Sequence, residues 1–590
     1  MEHARRGYIT TPPFWNISKI ITQTPVVVGA IIVYTSGKLL ASPPVNCKKR
    51  YKQCVSRDKS LIQLNEEVIN NRATNHRGLH FRMNRISYVA RAVLLGLLTT
   101  QVLATLHVYL SNAGLYRTVT AIAAAGYLAV PNQQIMPTLK ELGPAFYGGL
   151  FFTLSLGAGL SIFSVAFAWC WDRIFRRNKA LLLPVLILWA GAIVAVNGKG
   201  LSPIVASYFL VTPLLVFTAT LKWMPPEDEK KIWFNRLVHI VPILLLTIIW
   251  TVHADRFLFL DIRDYLLLSN PVGKKVDDFY YRYTLYPAEV FKTLDQKTLK
   301  TCRLTAIKDK QVAQHMENAL LNCDYLSLDT GVATDLEIVE AKDGLVFEHH
   351  GKTVIQFTFK EFFAQPNKAL RQFSAKTDRH ALFRQATIVC LLVGFPVLLY
   401  VMVFAVIQLV SGFLLSPMRS AAVAALLCFL IGLALLAPLR VGRSKALQTA
   451  DLSKALDSDC WQQRVQALRT VVSEGLEIGN LRSYRKMLAS PHLPERYWLA
   501  RALGASRDPK TYQDLLALLD DPHPNVVSMT LHALGQRGDP RAVKEILKRI
   551  ETSDHWYNQW YAYRALRHLG WKQRKKGALP RGKGPFLDGN

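Results

Sequence analysis

The sequence has few acidic residues, few cysteines and none of the common catalytic motifs. Its 590 residues include 42 acidic and 72 basic side chains. Eight cysteines are too few for a disulfide-stabilised scaffold. The sequence has no phosphate-binding loop, HExxH, CxxCH or GxSxG motif. It therefore indicates no specific reaction, no cofactor and no metal site, and favours a non-enzymatic role.

The formal net charge of +30 has two explanations. In a soluble protein it would suggest a nucleic-acid partner. However, half of the residues are hydrophobic, and they are concentrated in long runs. Cytoplasmic loops of membrane proteins collect Lys and Arg near anionic lipid headgroups. We therefore predict membrane lipids as partners, and no nucleic acid.

Seven apolar runs come close to the roughly 20 residues that a membrane-spanning helix needs. They are 88–110, 145–171, 180–197, 200–221, 235–252, 386–411 and 420–439. Two further runs, Pro25–Ala41 and Thr118–Val130, are marginal. The predicted fold is mainly α-helical: a polytopic membrane protein with a small α+β extramembrane insert and a C-terminal helical solenoid.

The predicted organisation has six parts. In chain order these are a basic N-terminal region at 1–87, a membrane domain with five spans at 88–252, a soluble α+β domain at 253–385, two further spans at 386–439, a repeat domain at 443–577 and a basic disordered tail at 578–590.

Loop charges predict the orientation of the spans. The loop Trp171–Lys179 carries four basic residues and is assigned to the cytoplasm. Alternation of the spans then places 253–385 and 443–590 outside, in a protein that we assign to the bacterial inner membrane. The basic residues between Arg440 and Lys445, and the lone Cys460 of the repeat domain, favour the opposite side.

The insert is predicted to contain a β-meander and a helix. Leu336–Phe359 alternates apolar and polar residues around turns that contain glycine. Pro287–Leu321 has helical spacing of its apolar residues. Cys302 and Cys323, the only cysteines in the insert, either form a disulfide or are two separate buried thiols.

The stretch Asp277–Glu289 is dense in tyrosine. It is either a binding surface or a strand packed against the membrane interface. We therefore include Tyr280, Tyr281 and Arg282 in a candidate interaction surface. The repeat-domain tryptophans complete this surface: Trp498, Trp556 and Trp560.

The last part of the chain repeats itself. Pro491–Gly504 (PHLPERYWLARALG) recurs after 31 residues as Pro522–Gly535 (PHPNVVSMTLHALG). A fixed period of this length is typical of stacked helix pairs. Together with Gly538–Val543 (GDPRAV), these segments resemble the HEAT-like repeats that are also found in phycobilisome lyases. The resemblance implies an α-solenoid that binds a protein, and it concerns the C-terminal domain alone.

Ionisable residues within apolar spans are candidates for function, because burying them is costly. Arg91 and His107 are expected near span ends, where they can reach the interface. His239 lies within its span and is the candidate intramembrane polar site. The sequence predicts a membrane-anchored scaffold that binds an unknown protein. The alternatives are a transporter or channel component with regulatory soluble domains, or an enzyme acting on envelope lipid or glycan.

Overall fold

The computed structural model describes residues 88–225, 232–252, 257–442 and 451–575, except 306, 329, 330, 332 and 343. The predictions for the N-terminal region, including Pro25–Ala41, and for the tail at 578–590 lie outside these residues. The described chain is mostly helical, with one small sheet.

The first part of the described chain is a bundle of apolar helices. In chain order they are α1 (Tyr88–Ala124), α2 (Leu142–Phe152), α3 (Ala158–Arg173), α4 (Lys179–Val196), α5 (Pro203–Trp223) and α6 (Ile232–Val252). A π-helical turn at Thr153–Gly157 joins α2 to α3. Because the backbone remains helical through this turn, Leu142–Arg173 forms one long helix.

The insert begins with helices and continues into a sheet. Its elements are α7 (Leu258–Asp261), α8 (Pro271–Tyr283), α9 (Leu285–Phe291), β1 (Lys300–Thr305), α10 (Lys310–Leu321), β2 (Tyr325–Ser327), β3 (Leu336–Ala341), β4 (Gly344–His349), β5 (Lys352–Phe357), α11 (Phe359–Ala364) and α12 (Pro366–Thr377). The strand order is β2-β1-β3-β4-β5. Strand β1 runs parallel to β2 and β3, while β3, β4 and β5 are antiparallel.

The predicted β-meander is confirmed as β3, β4 and β5. The prediction of a helix over Pro287–Leu321 is partly wrong, because strand β1 interrupts it. The first residues of β1 are buried between β2 and β3, and they contribute to the core of the insert. Tertiary pairing thus overrides the local helical spacing of the sequence.

After the insert, the chain returns to the bundle and then enters the repeats. The returning helices are α13 (Ala381–Val389), α14 (Phe395–Ser411), α15 (Pro417–Ala434) and α16 (Ala437–Gly442). A π-helical turn at Cys390–Gly394 joins α13 to α14. The repeat helices are α17 (Leu452–Leu456), α18 (Trp461–Glu474), α19 (Leu493–Ala505), α20 (Lys510–Ala517), α21 (Pro524–Arg537), α22 (Ala542–Thr552) and α23 (Trp556–His568).

Five helices in the described ranges are long and apolar enough to cross a bilayer, by length and composition alone. They are Tyr88–Ala124, Leu142–Arg173, Pro203–Trp223, Ala381–Ser411 and Pro417–Arg440. The predicted spans at 180–197 and 235–252 form shorter apolar helices, Leu182–Val196 and Leu237–Val252. The marginal run Thr118–Val130 is not a separate helix, because its first residues complete α1.

Small residues allow the repeat helices to approach closely, as the repeated Ala-Leu-Gly pattern predicts. A Cβ added at Gly504 would lie 2.5 Å from the Cβ of Ala533. One added at Gly535 would lie 2.8 Å from the Cα of Ala565. Since real Cβ atoms do not come this close, glycine at these two positions lets α19, α21 and α23 stack side by side.

The insert and the repeat domain lie at the same end of the bundle. The loop after α4 contacts the insert, where Lys199 donates a hydrogen bond to the carbonyl of Ala375 at 3.4 Å. The loop after α1 contacts the repeats, where the amide of Asn132 donates to Gln559 at 2.9 Å. At the opposite end, Arg173 donates to the carbonyl of Pro225.

Candidate functional site: the interface between the repeats and the bundle

The repeat domain is joined to the rest of the chain by a continuous hydrophobic core. Its buried residues cluster with Ile122 of α1, Tyr265 and Leu326 of the insert, and Leu439 of α16. Polar contacts add to this core: the side-chain amide of Gln573 donates to the carbonyl of Leu128 at 2.8 Å. The solenoid is therefore fixed to several elements at once.

A buried ion cluster lies at the centre of this interface. Arg469 of α18 contacts Asp261 at 2.6 Å and Asp264 at 2.5 Å. The indole Nε1 of Trp498 donates to Asp264 at 2.8 Å. Both carboxylates are fully buried, and a π-helical segment, Ile262–Leu267, holds Asp264 in place. We call Arg469, Asp261, Asp264 and Trp498 the latch.

The latch keeps Asp264 ionised. Burial by itself would raise the pKa of Asp264, but the guanidinium groups of Arg263 and Arg469 and the bond from Trp498 hold it below its usual value. Arg263 contacts Asp264 at 2.7 Å and lies 4.0 Å from the ring centre of Tyr497. The carboxylate is thus paired with cations from both sides of the interface.

Sequence patterns did not identify the latch. Its acidic residues lie in the insert, Arg469 lies in a weak copy of the repeat, and more than 200 positions separate them. The available signal was two carboxylates one helical turn apart, Asp261 and Asp264, within an otherwise apolar stretch. Burial of such a pair requires a cation nearby.

An aromatic layer extends the interface, and it corrects the predicted interaction surface. The ring of Tyr281 packs edge-on against Tyr557 at 4.7 Å, and that of Tyr286 packs against Trp556 at 5.1 Å. Trp498, Trp556 and Trp560 are each only 5 % exposed. These side chains therefore contact the chain itself. The tyrosine-rich stretch at Asp277–Glu289 is helical and not a strand. Its residues Tyr280 and Arg282 lie on α8 and remain exposed.

Histidines occupy the N-cap positions of three alternate repeat helices at the same interface. His492, His523 and His555 are the N-cap residues of α19, α21 and α23. The Nε2 of His523 lies 4.0 Å from Asp277 of α8, which also accepts a bond from Asn525 at 3.3 Å.

Burial is the main cause of the pKa shifts at these contacts. It lowers the pKa of both His523 and His555 to about 4, and raises the pKa of Asp277 to about 6. At neutral pH the histidines are therefore uncharged.

The structure corrects the predicted disulfide. Cys302 and Cys323 are both free thiols. Cys302 lies inside β1, opposite Ser327 of β2, whereas Cys323 lies in the turn that precedes β2. The Cys323 thiol instead contacts the side-chain oxygen of Asn367 at 3.1 Å. The second explanation, two separate thiols in one small domain, is the one that fits.

One histidine of the bundle is exposed and the other is buried. His239 is exposed on the bundle surface, and its ring lies 4.5 Å from that of Phe404. His107 lies midway along α1 and is buried among Phe152, Tyr208 and Phe383. Arg91, by contrast, is near the start of α1, as expected.

The side of the solenoid formed by α20 and α22 carries an exposed row of charged and polar side chains. Lys510, Gln513, Lys544 and Lys548 are exposed there. Beneath them, Ala542, Ile546 and Ile550 form the predicted buried face of α22. We call the surface of Lys510, Gln513, Lys544 and Lys548 the outer face.

Together these features define a helical-repeat solenoid fixed by a buried latch to one end of an apolar helical bundle. A family model of HEAT repeats matches residues 483–567. Comparison with curated proteins and with solved structures finds no match. In the described part of the chain, no group of three His, Cys, Asp or Glu residues could hold a metal ion.

Proposed function

We propose that the protein is a membrane-anchored scaffold whose HEAT-like domain presents its outer face to a partner protein. HEAT repeats generally mediate protein–protein interaction, which supports a partner-binding role. The observation that carries the proposal is the division of the solenoid into two sides. One side contacts the rest of the chain through the latch and the aromatic layer, so the outer face is the side left for binding.

Membrane anchoring is supported by the surface of the bundle. Apolar side chains on its outside are widely exposed, for example Val102 at 70 % and Leu188 at 74 %. Exposed apolar surface of this extent needs an apolar environment. This surface supports a bundle that sits in a bilayer, with the latch holding the repeats at the bilayer surface.

Loop charges support the orientation. The basic loop at 171–179 lies at the bundle end opposite to the repeats. With basic loops in the cytoplasm, the insert and the repeats are extracytoplasmic, and a bacterial inner membrane fits this arrangement. A reporter that fluoresces only in the cytoplasm, fused after residue 575, should stay dark. Fluorescence of this fusion would mean that the orientation is the reverse of the one proposed.

The outer face favours a partner with an acidic surface, because Lys510, Lys544 and Lys548 project from it. The test is chemical crosslinking in native membranes, followed by purification of the full-length protein. The variant Lys544→Glu with Lys548→Glu should lose the crosslinked partner. The control, Lys310→Glu with Lys368→Glu, changes two exposed lysines of the insert and should retain it. If both variants retain the same partners, the outer face is not the binding surface.

The transporter or channel alternative has one specific observation in its favour. The bundle buries four polar side chains on α1, α5 and the π-helical turn after α2. The hydroxyl of Thr153 donates to Gln101 at 2.6 Å, and those of Thr100 and Thr212 lie 3.2 Å apart. The buried atoms His107 Nδ1 and Tyr208 Oη have no hydrogen-bond partner in the structure. Buried polar residues within a membrane are typical of transport pathways. Reconstituted protein in which Gln101→Leu alters a measured flux would favour this alternative.

A further inference from the structure

Helix α8 has two faces of different chemistry. Asp277 and Tyr281 point towards the repeat domain, where they contact Asn525 and Tyr557. On an adjacent side, Val272, Val276 and Tyr280 follow one another at intervals of four residues, with exposures of 73, 52 and 37 %. Residues four apart lie on the same side of a helix. Helix α8 thus exposes an apolar stripe next to the side that packs against the repeat domain.

The exposed stripe continues onto the surface of the bundle. Phe279 and Tyr283 of α8 pack against Tyr147 in α2, with ring centres 5.7 and 4.9 Å apart. Tyr147 is itself 42 % exposed, and the neighbouring Phe146 is 44 % exposed. Helix α2 is the first part of Leu142–Arg173, one of the helices that are long and apolar enough to cross a bilayer. The apolar side of α8 is therefore continuous with the proposed lipid-facing surface.

The level of α8 along the bundle matches a membrane boundary. Gly148, beside Tyr147, packs against α1 near Val108, since an added Cβ would lie 3.5 Å from that side chain. From Tyr88 to Val108 a helix rises about 30 Å, which is about the thickness of the hydrocarbon core. At the other end, Arg91 lies 5.5 Å from the ring centre of Trp223. Aromatic residues at both levels resemble the belts that flank a bilayer.

Basic side chains border the apolar stripe of α8. Lys275 and Arg282 are both exposed, and their spacing of two helical turns places them along one edge of the helix. Amphipathic helices that lie in the membrane interface combine such an apolar face with Lys and Arg that contact anionic headgroups. Of the two acidic residues of α8, Asp277 points away from this edge, towards Asn525, whereas Asp278 lies between Lys275 and Arg282, three and four residues from them.

We propose that α8 is an interfacial helix that lies flat in the headgroup region on the side of the repeat domain. Val272, Val276 and Tyr280 insert into the acyl boundary, while Lys275 and Arg282 bind lipid phosphates. This proposal rests on the membrane anchoring put forward above. Since the repeat domain packs on the back of α8, the helix holds the solenoid at a fixed height above the bilayer.

The test is photocrosslinking in nanodiscs that contain phosphatidylcholine and phosphatidylglycerol. A photoreactive benzoylphenylalanine replaces Val276 in the full-length protein. The same probe replaces Val102, which is 70 % exposed on α1, and Gln513 on the outer face. Mass spectrometry identifies the adducts. We expect lipid adducts at positions 276 and 102, and none at position 513.

The controls separate this inference from membrane anchoring itself. Lipid adducts at position 102 but none at 276 would overturn the interfacial helix and leave the anchoring intact. Adducts at 276 to another protein would overturn it in favour of a protein-docking surface. No lipid adduct at 102 would overturn the anchoring and, with it, this proposal.

A charge variant tests the phosphate contacts. We expect phosphatidylglycerol to be enriched several-fold among the adducts at position 276, relative to its share of the bilayer. The variant Lys275→Gln with Arg282→Gln should lose this enrichment, and Lys310→Gln with Lys368→Gln should keep it. Equal enrichment in both variants would overturn the role of the two basic residues.

Discussion

Arg469 and Asp264 form an ion pair across the interface between the repeat domain and the insert, at 2.5 Å. The carboxylate is fully buried, and the guanidinium also lies 4.9 Å from the ring centre of Trp498. A charge removed from water is tolerated only when it is paired and hydrogen-bonded. The pair therefore favours one position of the solenoid on the insert.

The variant Arg469→Leu should release the repeat domain from the bundle. It removes the guanidinium that pairs with Asp261 and leaves Arg263 beside Asp264. Breaking a buried pair in this way costs about 3–5 kcal/mol. Hydrogen exchange should become faster in α18 and α19. The control Arg485→Leu removes a pair with Asp514 whose arginine is 61 % exposed, and should change exchange little because exposed ion pairs contribute little to stability. Equal exchange in the two variants would mean that the latch does not hold the interface.

Reduction should not change the stability of the insert. Cys302 faces Ser327 within the sheet, and the Cys323 thiol contacts Asn367, so there is no bond to reduce. We expect the same melting temperature with and without dithiothreitol. Alkylation of the denatured, unreduced protein should modify both cysteines. A peptide pair linked through Cys302 and Cys323 in mass spectrometry would contradict the structure.

The sequence predicted the repeats well, because their signal is local. The 31-residue period and the Asp-Pro and Ala-Leu-Gly patterns depend on neighbouring helices alone. The sequence could not predict which side of the repeat domain packs against the rest of the chain. Trp498 and Trp556 have the composition of a partner-binding surface, but buried contacts within a chain use the same residue types. Only the folded arrangement brings Tyr286 to Trp556.

The wrong prediction of a disulfide between Cys302 and Cys323 has a different cause. Strand β1 pairs in parallel with β2 and β3, and its register is set by residues far along the chain. Parallel pairing through a crossover helix leaves only a short apolar run in the sequence, which periodicity cannot separate from a helix. Because the sequence did not predict β1, it could not show where Cys302 and Cys323 lie relative to each other in the sheet.

The crossing of the second π-helical turn over the start of α3 should not tolerate a side chain at Gly394. A Cβ there would lie 2.6 Å from the backbone of Gly159. Because backbone cannot move as a flexible side chain does, Gly394→Ala should destabilise the bundle by about 1–3 kcal/mol. The control is Gly191→Ala on α4, where nothing lies within 4 Å of an added Cβ. It should be neutral or stabilising by up to about 1 kcal/mol. Thermal unfolding in detergent compares the two, and equal melting temperatures would disprove the close crossing.

Acid should weaken the repeat domain through its buried histidines. The pKa values of His523, His532 and His555 are lowered from 6.5 to about 4. Between pH 6.5 and 4, the unfolded chain binds protons at these sites and the folded domain does not, so stability falls as the pH drops. Asp277 opposes this, since its pKa is raised from 3.8 to about 6 and the folded state takes up its proton first. Three histidines against one carboxyl leave a net loss, on the order of a few kcal/mol.

The variant His523→Asn with His555→Asn isolates the effect of protonation. Asparagine is a favourable N-cap residue, so it can replace the cap that His523 provides at α21 and suits the N-cap position of α23, while two titrating groups are removed. The melting temperature of the wild-type protein should fall between pH 7 and pH 5, and that of the variant should fall less. If the two curves run parallel, protonation of these histidines does not control the stability of the domain. The acid sensitivity would then have to come from other groups, with His532 the first to replace.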